Sequence, residues 1–182
     1  EDQQDTFTDL ITLMALMIIL VFVIMASQFE SLTYPFVIMF SIPFALVGVI
    51  VGLAITGTPM SVMALLGVLM LIGIVVNNGI VLVDYTILCR ERGMSIFDAV
   101  VTGGRSRLRP ILMTTMTTVL GMIPMALGTG VGAEMWNPLG MSVAWGLSIS
   151  TLITLILIPT SFAVHGENRR NKKLRKLQQR NN

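Results

Sequence analysis

Five apolar runs divide the chain. They cover residues 8–26, 32–55, 61–88, 108–127 and 138–164, each about 20 residues or longer and dominated by Leu, Ile, Val, Met, Phe and Ala. At about 1.5 Å per residue, a helix of this length crosses ~30 Å of hydrocarbon. The breaks between runs, at 27–31, 56–59, 89–107 and 128–137, are polar or turn-forming. The pattern predicts an all-α polytopic membrane protein, a bundle of five transmembrane helices. Residues 1–7 are a stub before the first span, residues 8–164 are the membrane domain, and residues 165–182 are a tail.

Composition strengthens this reading. The chain is 54% hydrophobic and only 12% charged, with a mean hydropathy of +0.81. A soluble domain carries about twice that charge. Folded in water, such a chain would expose apolar patches that aggregate, so lipid is the expected solvent.

Charge gives the spans a direction. All 12 Lys and Arg lie in two groups. Arg90, Arg92, Arg105, Arg107 and Arg109 surround the connection between the third and fourth spans. Arg169, Arg170, Lys172, Lys173, Arg175, Lys176 and Arg180 fill the tail. With five spans, both groups fall on one side. The N-terminal stretch and the breaks at 56–59 and 128–137, on the other side, contain no Lys or Arg. The positive-inside rule makes the tail cytoplasmic and the N-terminus external. The pI near 9.1 is then a matter of topology, and nucleic acid is not an expected partner. No basic region or small-residue cleavage site precedes the first span, so a signal peptide is not expected. Glu1 in place of an initiating Met fits a piece of a longer or processed chain.

Small residues mark expected helix contacts. Gly48 and Gly52 are spaced as GxxxG, and Gly140 with Ala144 and Gly146 with Ser150 repeat small-xxx-small. Pro43, Pro124 and Pro159 lie within spans and favour kinks, either as fixed shape or as hinges. The 14 Met read as adaptable packing residues. Ser95 and Asp98 are spaced as a capping box, opening either a short interfacial helix over residues 95–101 or an ordinary connector.

Candidate chemistry is sparse. Cys89 and His165 are single, so neither a disulfide, a metal site nor a metal cofactor is expected. There is no HExxH and no GxSxG. An intramembrane aspartyl protease needs two facing aspartates, and only Asp84 lies in or near a span, so an enzyme is not expected. The third span carries Asn77, Asn78 and Asp84, with Asn77 and Asp84 two turns apart on one face and Asn78 about 100° away. The fourth span places Arg107, Thr114 and Thr118 on one stripe. Such groups are costly in lipid and need a reason. Two remain open from spacing alone: a hydrated path for protons or ions, or interhelical hydrogen bonding with Asp84 and the arginines at the cytoplasmic interface.

Three stretches carry a family resemblance. "IGIVVNNGIVLVDY" (72–85) and "GRSRLRPILMTTMTTVLGMIPMALG" (104–128) closely resemble the resistance-nodulation-division (RND) efflux transporters, and "ASQFESLTYPFVIMFSIPFALVG" (26–48) is similar to the same family. Together they run from about residue 26 to 159 in family order. The resemblance implies the last five helices of a twelve-helix transporter, following the large extracytoplasmic domain of its second half. It implies proton-driven export of amphiphilic small molecules across a bacterial cytoplasmic (inner) membrane, with protons as the coupling ion. It further implies a homotrimer and, in a Gram-negative cell, a periplasmic adaptor and an outer-membrane channel as partners, beside the lipid bilayer and the remainder of the chain. In the family, a carboxylate pair in the first half is met by a lysine, an arginine and a threonine. The arginine and threonine positions match Arg107 and Thr114. The lysine position holds Asn77, a departure, and the following family asparagine matches Asn78. The resemblance thus makes Arg107, Thr114, Asn77 and Asn78 the relay candidates, with Asp84 a weaker one. Asn77 cannot carry the lysine's charge. The competing reading is a membrane anchor or lipid-sensing bundle that transports nothing.

Overall fold

A computed structural model describes residues 2–181, with side chains over residues 4–161. The candidate basic tail and His165 lie outside the residues whose side chains are described. The described chain is helical throughout, in the order α1 (Asp2–Phe29), α2 (Thr33–Met39), α3 (Ser41–Thr56), α4 (Val62–Glu91), α5 (Ile96–Ala126) and α6 (Ala133–Asn181).

The second apolar run folds as two helices, α2 and α3, with Phe40 between them. Pro43 has no N–H for the carbonyl of Met39, so the i→i−4 ladder loses a bond at this point. Phe40 itself stays in right-handed helical geometry and donates to the Phe36 carbonyl at 3.2 Å, so the result is a kink within one span, Thr33–Thr56. Pro110 and Pro124 in α5, and Pro138 and Pro159 in α6, do not interrupt their helices.

Among the described residues, four spans meet the length and hydropathy a bilayer crossing needs: Gln4–Phe29, Thr33–Thr56, Val62–Glu91 and Ala133–Ser161. Helix α5 is not among them. Its apolar half is diluted by Thr114, Thr115, Thr117 and Thr118 and preceded by three arginines, which lowers its hydropathy without shortening it. The connection before it is also tighter than the sequence suggested. Helix α4 continues to Glu91 and α5 starts at Ile96, so the stretch from residue 95 opens α5 itself rather than a separate interfacial helix. Ser95 caps that start. Its Oγ accepts from the Asp98 N–H at 3.2 Å and donates to the Asp98 carboxylate at 2.6 Å.

Helix α6 is the hub, packing on α3, α4 and α5, whereas α1 packs at the edge against α2 and α4. Only 6% of the α1 apolar stretch is buried, and Ile11, Leu16, Ile19, Leu20 and Val23 point outward. An outward apolar face of this size is stable only when the surroundings are hydrocarbon. Between α3 and α6, Gly48 faces Gly146, while Gly52 faces the side chain of Trp145. A Cβ at Gly48 would stand 3.2 Å from the Gly146 Cα, and a Cβ at Gly52 would fall onto Trp145. Bare backbone at these positions lets the helices approach closely enough for dispersion to hold them.

Candidate functional site

The residues singled out from the sequence separate onto two faces. Asn77 and Asp84 share the outward side of α4, as their spacing requires, and both are exposed. Thr114 on α5 is also exposed. It turns its hydroxyl back onto its own helix, donating to the Pro110 carbonyl at 3.0 Å, and Thr118 does the same to the Thr114 carbonyl at 2.9 Å. Asn78, one residue from Asn77, points inward and is buried.

Arg107 sits between these faces, half-buried. Its Cζ lies 4.6 Å from the centroid of the Tyr85 ring on α4. Its Nε is sealed from solvent and has no hydrogen-bond acceptor among the described residues. A cation over an aromatic face gains about 0.5–1 kcal/mol where exposed and about 2 kcal/mol where dry, and the sealed Nε still lacks a hydrogen bond. Arg107 is thus only partly compensated within this segment. Gly103 sets the geometry, since a Cβ there would lie 2.5 Å from Thr86 Oγ1. Without one, α5 closes onto α4 beside Tyr85. No hydrogen bond or ion pair joins Arg107, Thr114, Asn77 and Asp84 to one another among the described residues.

A second polar group, unmarked in the sequence reading, surrounds Asn78. A narrow crevice between α4, α5 and α6 is lined by Val75, Asn78, Ile111, Ser150, Thr151 and Thr154, among others. Beside it, Thr151 on α6 and Thr115 on α5 hydrogen-bond at 3.2 Å, while the buried Thr154 hydroxyl has no partner among the described residues. Ser150, Thr151 and Thr154 follow helical spacing, and of the three only Ser150 stood out from the sequence, as a packing residue. They are small and weakly polar, and so resemble packing residues.

This arrangement defines a multi-pass membrane protein with a polar, arginine-bearing seam on helices whose outer surface is largely apolar. Residues 1–165 match the AcrB/AcrD/AcrF family, and the chain belongs to it and so to the RND transporters. Among its relatives is the swarming motility protein SwrC of Bacillus subtilis (strain 168), 41% identical over 172 residues that make up 94% of this chain and 16% of SwrC. Among solved structures, the crystal structure of a heavy metal efflux pump aligns with a TM-score of 0.82 and 32% identity, over 92% of this chain and 17% of that one. The chain therefore spans about a sixth of the length of these relatives.

Proposed function

We propose that this segment is the five-helix, second-half membrane part of a proton-driven RND transporter that exports amphiphilic small molecules across the bacterial cytoplasmic membrane. Its N-terminus is external and its tail cytoplasmic. Arg107 and Thr114 take part in the proton relay, Asn77 and Asn78 line it, and Asp84 is a peripheral contributor. The coupling ion is the proton. The working assembly is a homotrimer, joined in a Gram-negative envelope by a periplasmic adaptor and an outer-membrane channel.

One observation carries this reading. Asn77, Asp84 and Thr114 are exposed on helices whose outer surface is largely apolar, and Arg107 on the same pair of helices has no acceptor for its Nε among the described residues. Facing lipid, a carboxylate or guanidinium at mid-membrane costs roughly 2.5–3.5 kcal/mol each. A seam of such groups is favourable only against a hydrated or acidic counter-face, which the remainder of a transporter supplies. With Asn77 neutral where the family has lysine, Arg107 is the cation left to answer carboxylates there.

Cells expressing the full-length transporter test this. Arg107→Ala and Thr114→Ala should each abolish export of a fluorescent amphiphile while membrane expression is kept. Undiminished export would favour a purely structural seam, as in a non-transporting bundle. The solved heavy metal efflux pump supports a second cargo reading, metal ions, which a parallel metal-resistance assay separates from the first.

A further inference from the structure

Among the described residues, Arg107 has neither an ion pair nor a hydrogen-bonded side-chain partner, and the group that meets its charge is the ring of Tyr85, 4.6 Å away. The two residues come from different helices. Tyr85 neighbours Thr86 on α4, and Arg107 is one turn beyond Gly103 on α5. The Thr86–Gly103 contact that brings the backbones together therefore also brings the ring beneath the guanidinium. Asp84, although adjacent in sequence, is exposed on another side of α4 and makes no ion pair with Arg107.

We propose that Tyr85 is a positioning residue for Arg107. Its ring face cradles the guanidinium so that the arginine stays charged and unpaired, free to move to a carboxylate on the transporter's other helices and to return. The chemistry of the pair favours this role. An aromatic face attracts a cation through its quadrupole, carries no net charge and uses none of the arginine's N–H donors. The donors stay unpaired, and those of the terminal amino groups can meet an arriving acceptor while Nε is sealed. A carboxylate in place of Tyr85 would instead hold Arg107 in a half-buried ion pair that resists separation. An aliphatic residue would leave the charge without any offset. Tyr85 thus holds the arginine weakly enough for release.

This inference rests on the relay reading of Arg107, and the experiment separates the two. In the full-length transporter, Tyr85 is replaced by Phe, and then by phenylalanines carrying one, two and three ring fluorines, which keep the shape and drain the negative face. Tyr85→Phe should rescue export to within about twofold of wild type, and three fluorines should lower it by about tenfold, in steps. The δ-methylene protons of Arg107 should show an upfield ring-current shift in the wild type and Tyr85→Phe, lost in Tyr85→Leu. Flat export across the fluorine series, with Arg107→Ala inactive, overturns the role of Tyr85 and leaves the relay standing. An inactive Tyr85→Phe gives the work to the hydroxyl and also overturns it, as does a wild-type protein with no ring-current shift. Export by Arg107→Ala at the wild-type rate sinks the relay reading and this inference with it.

Discussion

Thr115 of α5 and Thr151 of α6 place their hydroxyl oxygens 3.2 Å apart, both buried, and Thr151 also lines the crevice that holds Asn78. The pair joins the helix bearing Arg107 to the hub of the bundle. Interhelical bonds of this kind contribute about 0.6 kcal/mol, rarely above 1.7, because a freed hydroxyl can return to its own helix.

A double-mutant cycle should recover that coupling. Thr115→Val and Thr151→Val are each expected to destabilise the protein by about 1 kcal/mol or less, and the double variant by about 0.6 kcal/mol less than their sum. Reversible unfolding in mixed detergent measures it. Strict additivity would mean the hydroxyls do not interact.

The glycines separate by what faces them. Gly52→Ala would drive a methyl into Trp145 of α6, whereas a Cβ at Gly121 meets nothing within 4 Å. Gly52→Ala should therefore cost about 1–3 kcal/mol through overpacking. Gly121→Ala, in the interior of α5, should be neutral or stabilising, since Gly is the poorer helix former by about 1 kcal/mol. The same unfolding assay ranks the two, and a Gly52→Ala protein as stable as Gly121→Ala would contradict the α3–α6 packing.

Sidedness follows from the arginine clusters. Single cysteines at Met94, in the turn between α4 and α5, and at Val131, in the turn between α5 and α6, replace exposed side chains. With the buried Cys89 changed to Ser, a membrane-impermeant thiol reagent added outside should label position 131 and spare position 94 until the membrane is permeabilised. Labelling of both from outside would break the topology.

Four of the five spans were legible because lipid imposes a simple demand, about 20 apolar residues in a row. Gly48 and Gly146 were legible as packing residues for a similar reason, since close approach requires bare backbone. Asn77 and Asn78 were not separable. In a soluble helix the apolar stripe says which of two neighbours points inward, but α4 is apolar on every side, and only its packing against α5 and α6 turns Asn78 in and Asn77 out. Thr151 and Thr154 gave too weak a polar signal to stand out. Tyr85 read as the end of a motif. Its position under Arg107 depends on the Gly103 approach, a relation between two helices that no spacing within one of them records.

The central claim is that the seam bearing Arg107 and Thr114 couples proton entry to export. The full-length transporter in proteoliposomes, with an imposed pH gradient, allows internal pH and cargo movement to be followed together. Wild type should move both, while Arg107→Ala and Thr114→Ala, assembled to the same extent, should move neither. Coupled proton and cargo movement at the wild-type rate in Arg107→Ala would contradict the account.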